Sequence, residues 1–135
     1  SVFFINTSKD AKANKIINSY FENSKFKLIK FKKKSKFIGL KRKNEIVCSG
    51  WIYFGNKWMI EEINKSITLR KQYLLYDFIT EKRFRNLGYY KLLLKIIQSK
   101  FFKKKLIIYS LSWNYKSIRA IEKSGFKLFK KLRKS

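Results

Sequence analysis

Three segments in direct succession constrain the fold of this chain more than anything else in it. "QYLLYDFIT", Gln72 to Thr80, is an apolar run that reads as a strand. "RFRNLGYYKLLLKI", Arg83 to Ile96, turns at Gly88 and opens a helix to about Lys100, with Leu92, Leu93, Ile96, Ile97 and Phe101 as its apolar face. "KLIIYSL", Lys105 to Leu111, is a second strand. Strand, helix and strand this close together form a βαβ unit, whose crossover is right-handed and whose strands run parallel. "NYKSIRAIEKSGF", Asn114 to Phe126, follows as a second helix, with Asn114 at its N-cap, Ile118 and Ile121 inward, Lys123 in the last turn and Gly125 just beyond it. "FKLFKKL" reads as a closing strand.

The first half carries weaker signals. "VFFIN", Val2 to Asn6, reads as a short strand, and a helix follows from a Thr7 or Ser8 cap to about Glu22. Phe26 to Leu40 suggests strand around a lysine-rich bend. "FGNKW" marks a turn, so Ile46–Phe54 and Trp58–Ile63 are expected to form a hairpin. The sum is one α/β (α+β) domain over residues 1–135: a mixed, mostly antiparallel sheet of about six strands, helices on both faces, and the βαβ unit at its centre. No internal repeat is present.

Composition narrows the chemistry. A hydrophobic fraction of 45% with 13 Phe is enough to build a core, so order is expected almost throughout. The 34 Lys+Arg against 8 Asp+Glu leave a net charge of +26, a field that attracts nucleotides, RNA and acidic lipid alike. There is no histidine, which excludes Ser-His-Asp and Cys-His catalysis and histidine-based zinc sites. A single cysteine, Cys48, permits no intrachain disulfide and points to a reducing cytoplasm. No apolar window is long enough to span a membrane, and "SVFFIN" is too short for the core of a signal peptide.

The Gly88 junction admits two readings. At a helix N-terminus the first backbone N–H groups lack intrahelical partners and carry the positive end of the macrodipole; Gly88 lets a ligand approach them, and Arg83, Arg85 and Lys91 add charge. A phosphate or pyrophosphate suits that setting. Alternatively, Gly88 only permits a tight turn and the arginines are solvated.

Arg85, Asn86, Leu87, Gly88, Tyr89 and Tyr90 resemble the Arg-x-x-Gly-x-Gly/Ala signature with which GNAT N-acetyltransferases open a helix directly after a strand to bind acetyl-CoA. A second element is similar too: Asn114, then a helix ending in "EKSGF". The resemblance covers Tyr73 to about Phe129; before Lys71 only the order of elements matches. It implies that Tyr76–Thr80 splays from Ile107–Leu111, and that the pantetheine arm of acetyl-CoA pairs with backbone near Phe78, Ile79 and Thr80. It places the pyrophosphate on the amides from Arg85 to Tyr90, an N–H near Phe78 on the oxyanion, and Asn114 on the CoA arm. Two positions depart from the family. Tyr90 stands where a second small residue is usual, so that one phosphate-facing position is crowded or the loop is shifted, and Ile121 stands at about the place of the tyrosine that protonates the thiolate. The family's terminal hairpin is either short or supplied by a partner, such as a second copy in a homodimer.

Without histidine, the proton of the acceptor amine must go to a carboxylate or an ordered water, and Asp77, Glu61 and Glu62 are the candidates. Asp77 sits in an apolar strand, where desolvation would raise its pKa, although a paired structural carboxylate is the commoner reading. Glu61 and Glu62 are expected on opposite faces of one strand. Tyr115 and Tyr76 are candidate acids, and Cys48 is expected to be an inert buried thiol. The acceptor is expected to be a primary amine, such as an amino sugar on a nucleotide carrier, whose diphosphate a basic cleft attracts; an aminoacyl-tRNA or ribosomal protein is the next choice. Two other readings stand beside this one. A basic nucleic-acid-binding module would use lysine runs interleaved with phenylalanine, though 28 Lys against 6 Arg argues against base readout. A GNAT fold without activity is the other.

Overall fold

The computed structural model describes residues 2–5 and 30–133. The helix expected up to Glu22 and the strand start at Phe26 lie outside the described residues. The central sheet has the strands β1 (Val2–Ile5), β2 (Ser35–Arg42), β3 (Glu45–Tyr53), β6 (Gln72–Thr80) and β7 (Lys105–Ile108), in the order β1-β2-β3-β6-β7. All neighbours are antiparallel except β6 and β7, which run parallel across the helix α1 (Tyr89–Lys100), as the βαβ reading requires. Helix α2 (Tyr115–Lys123) follows, with the Asn114 side chain accepting from the Ser117 N–H at 3.3 Å and Gly125 in the left-handed region just past its end.

Adjacent strand residues point to opposite faces, and the sheet uses both. Ile38, Ile52 and Leu75 turn toward the helices and pack with Leu93, Leu94, Ile97 and Ile121. Their neighbours Phe37, Trp51 and Leu74 turn the other way, into a second core with Tyr76 and Leu69, against which Phe31, Trp58 and Tyr109 pack. Both described helices serve the first core alone.

Four expectations are corrected. Trp58 does not return along β3: β4 (Lys57–Ile60) pairs instead with β5 (Lys65–Thr68) as a separate two-stranded sheet. Both edges of β3 are already taken, by β2 and β6, so the turn at Phe54–Trp58 leads out of the main sheet. The inward face of α1 is Leu93, Leu94 and Ile97, while Leu92 is exposed. Finally, "FKLFKKL" is not a strand: Leu128 and Phe129 cover no core and lie in solvent, the outer edge of β7 stays unpaired among the described residues, and the central sheet has five strands there. β7 likewise ends at Ile108, short of Leu111.

Candidate active site

Gly88 caps α1 in the left-handed conformation, φ 82° and ψ 10°, with no side chain capping the turn. Its carbonyl accepts the first helical bond, from the Leu92 N–H at 3.0 Å, so the amides of Tyr89, Tyr90 and Lys91 have no intrahelical partner. Asn86 is also left-handed, φ 64°, and the two together curl the backbone into a concave turn of the kind that collects N–H groups around an anion. A Cβ placed on Gly88 would meet nothing within 4 Å, so the space on that side of Gly88 is open. Arg85 anchors the turn to the preceding strand by donating from Nε to the Thr80 carbonyl at 3.0 Å. Arg83 pairs with Glu45 at 2.6 Å, both well exposed, and Arg42 reaches the Tyr89 hydroxyl at 3.4 Å. Tyr90 does not crowd the turn: its half-buried ring packs on Phe78 with centroids 5.7 Å apart, and its hydroxyl lies 3.4 Å from Ser117 of α2.

The strand before this turn is broken in register. Ser49 pairs with Ile79 and Trp51 with Tyr76, so Asp77 and Phe78 together face the single residue Gly50. Asp77 takes up the extra residue with φ 50°. The Phe78 ring lies where a side chain on Gly50 would be: a Cβ there would come within 2.3 Å of it. On its other edge β6 is paired with β7 only up to Leu75 and Ile108, yet it continues to Thr80. The two parallel strands therefore part at Tyr76 and Tyr109, and beyond that fork no strand among the described residues pairs with this edge of β6. The bulge sits at the fork.

The proton-transfer candidates fall differently from expectation. Asp77 is exposed, with side-chain accessibility of 59%, and contacts the Lys30 ammonium; the bulge turns it out of the apolar strand and into that pair. Glu61 and Glu62 lie in a short 3₁₀ turn, Glu61–Ile63, and are both exposed rather than on opposite faces of a strand. Tyr115 is exposed at the start of α2, beside Asn114. Tyr76 is buried at the fork with its hydroxyl 2.7 Å from Ser35, and burial pushes its pKa up to about 12. Tyr109 is likewise raised by burial, and its hydroxyl accepts from Trp58 Nε1 at 3.2 Å. Cys48 is buried, receives a bond from Thr80 Oγ1 at 3.4 Å, and is pushed up to about 11 by burial, so it stays an unreactive thiol at neutral pH. Ile121 is core. Among the described residues no group of carboxylates and cysteine could hold a metal ion, and no helix is long and apolar enough to cross a membrane.

Below the fork, Lys33, Lys34, Tyr53, Lys57, Trp58 and Glu61 are among the residues lining an open basic cavity of about 440 Å³. Sequence reasoning did not single out Lys30, Gly50, Trp58 or Tyr109. Only Gly50 carried a signal, as a glycine inside a strand, which marks a bulge or a close approach.

No protein-family model and no curated protein matches the sequence. Solved structures do resemble the fold. The aminoglycoside N-acetyltransferase AAC(6')-Iy in complex with CoA superposes with a TM-score of 0.68 at 10% identity, over 98% of this chain and 95% of its own. This is a GNAT fold. A ribosomal-protein-alanine N-acetyltransferase from Brucella melitensis biovar Abortus 2308 gives 0.60 at 11% identity, over 98% and 96%. The aminoglycoside acetyltransferase meta-AAC0020 from an uncultured soil metagenomic sample, in complex with sisomicin, gives 0.64 at 10% identity, over 98% and 91%. The likeness in fold thus takes in the described strands before β6 as well, where the sequence motifs are silent.

Proposed function

We propose that the chain is an acetyl-CoA-dependent N-acetyltransferase whose acceptor is a primary amine on a molecule that also carries negative charge. The observation that supports it most is the coincidence, on one strand, of an uncapped helix N-terminus with open space before it and a bulge at the point where two parallel strands separate.

The donor set suits CoA. The amides of Asn86 to Tyr90 offer N–H donors and the positive helix end to a pyrophosphate, the Arg85 N–H being taken by the Lys82 carbonyl at 3.4 Å. The open edge of β6 at Phe78, Ile79 and Thr80 offers a ladder to an amide-bearing arm. Asn114 uses Oδ1 to cap α2, which leaves its NH2 group to donate. Acetyl-CoA held there would supply an activated acyl group for transfer to an amine, with CoA as the leaving thiol. An N–H near Phe78, freed by the bulge, would be the donor to the acyl oxygen. Asp77, at the same bulge, is the carboxylate placed to take the amine's proton, directly or through water. Glu61 lines the basic cavity but is exposed, and Tyr115 stands in solvent, so both are second choices.

The charge of the cavity bears on the acceptor. An aminoglycoside such as sisomicin is a polycation, and Lys33, Lys34 and Lys57 with a net charge of +26 repel it. A phosphate-bearing amine is drawn in, which favours a nucleotide-linked amino sugar or an aminoacyl-tRNA over an aminoglycoside. A panel of amines assayed for CoA release tests this: phosphorylated amino sugars are expected to react and sisomicin is not. Turnover of sisomicin above the phosphorylated amines would overturn the acceptor assignment.

A further inference from the structure

The Lys30 ammonium enters the face of the sheet below the fork. Its Nζ lies 5.6 Å from the ring centroid of Trp51 and 5.6 Å from that of Tyr76, and it contacts the Asp77 carboxylate. The two rings are stacked at 29° to each other, so both present their faces to one charge, within the range over which a cation is attracted to an aromatic face. Trp58 packs against Tyr76 at 4.5 Å and fixes the floor from the other side. Asp77 supplies a charge-assisted acceptor at the bulge itself. Trp51 and Tyr76 are nearly inaccessible, and the Lys30 side chain retains only 23% of its exposure.

Lys30 belongs to the 3₁₀ turn Lys30–Lys33, whereas the pairing of β2 begins at Ser35. Moving the side chain away therefore breaks no strand pairing. What it leaves behind is two aromatic faces and a carboxylate converging on a point beside the residue where β6 and β7 part. That combination suits a compact ammonium on a flexible stem, and suits poorly the flat fork of a guanidinium or an uncharged alkyl group.

We propose that Trp51, Tyr76 and Asp77 form a receptor for a primary alkylammonium group, which Lys30 of the chain itself fills until an acceptor amine displaces it. The receptor stands on its own geometry; that its ligand is the acceptor rests on the acetyltransferase reading. Lys30 is then an internal competitor, and the chemical class selected is a primary amine in its charged form.

Calorimetric titration with Nα-acetyl-lysine methylamide, and with the norleucine analogue that lacks the ammonium, tests this on the full chain. Lys30→Ala is expected to bind the lysine amide at least tenfold more tightly than the parent chain and to discriminate against the norleucine amide. Adding Asp77→Asn is expected to abolish that gain. Lys30→Met keeps the stem over the rings and gives the same comparison should the alanine variant fail to fold. Unchanged affinity for the lysine amide in a folded Lys30 variant, or equal affinity for the two amides, overturns the receptor. CoA titrated into the same variants keeps the questions apart: intact CoA binding without ammonium preference removes the receptor alone, and ammonium preference without CoA binding removes the acetyltransferase reading alone.

Discussion

Two glycines do opposite work at the site. Gly88 is needed for its conformation, since nothing occupies the space a side chain would take, and Gly50 for its missing side chain, since Phe78 fills that space. Gly50→Ala is expected to destabilise the fold by about 1–3 kcal/mol through overpacking, with most of the loss recovered when Phe78→Ala is added, as a urea-denaturation double-mutant cycle reads out. Gly88 was legible because a glycine between an apolar run and a helical pattern has few other uses; Asp77 was not, because an alternating pattern cannot foretell a bulge that turns one residue out. The buried acids Cys48 and Tyr76 set the alkaline limit. Both hold their protons more tightly folded than unfolded, so nothing is lost below pH 9; above it the unfolded chain releases protons first and stability falls. The windows run from about 9 to 11 for Cys48 and from about 10 to 12 for Tyr76, each costing on the order of 1 kcal/mol per pH unit. Thermal melts between pH 8 and 11 are expected to show the decline, and Cys48→Ala to move its onset from about 9 to about 10.

Elements formed by local contacts were legible and those set by distant pairing were not. β6, α1 and α2 each carry their own local pattern and occur where it puts them, and β7 begins where expected but ends at Ile108. The partner of β4 was decided by which edges of β3 were free, which no local pattern states. Within α1, apolar residues at 92, 93, 94, 96 and 97 define too wide a stripe to choose the inward side, and packing chose Leu94 over Leu92. Leu94→Ala is accordingly expected to cost about 2–5 kcal/mol and Leu92→Ala less than about 1 kcal/mol, measured by urea unfolding. For α2, Asn114→Ala is expected to cost about 1 kcal/mol through the lost cap, measured the same way.

At the scale of the whole molecule the net charge of +26 acts on every anion, so charge alone cannot separate a cofactor site from a nucleic-acid surface. Geometry separates them. A surface of solvated lysines binds any polyanion and ignores the conformation of one glycine, whereas a pyrophosphate held on main-chain amides depends on the open approach that Gly88 leaves. The deciding measurement is calorimetric titration of CoA into the parent chain and into Gly88→Val, with circular dichroism confirming that both are folded. Saturable binding to the parent and at least a tenfold loss in the variant is the predicted result; no binding to the parent, or equal binding to both, contradicts it.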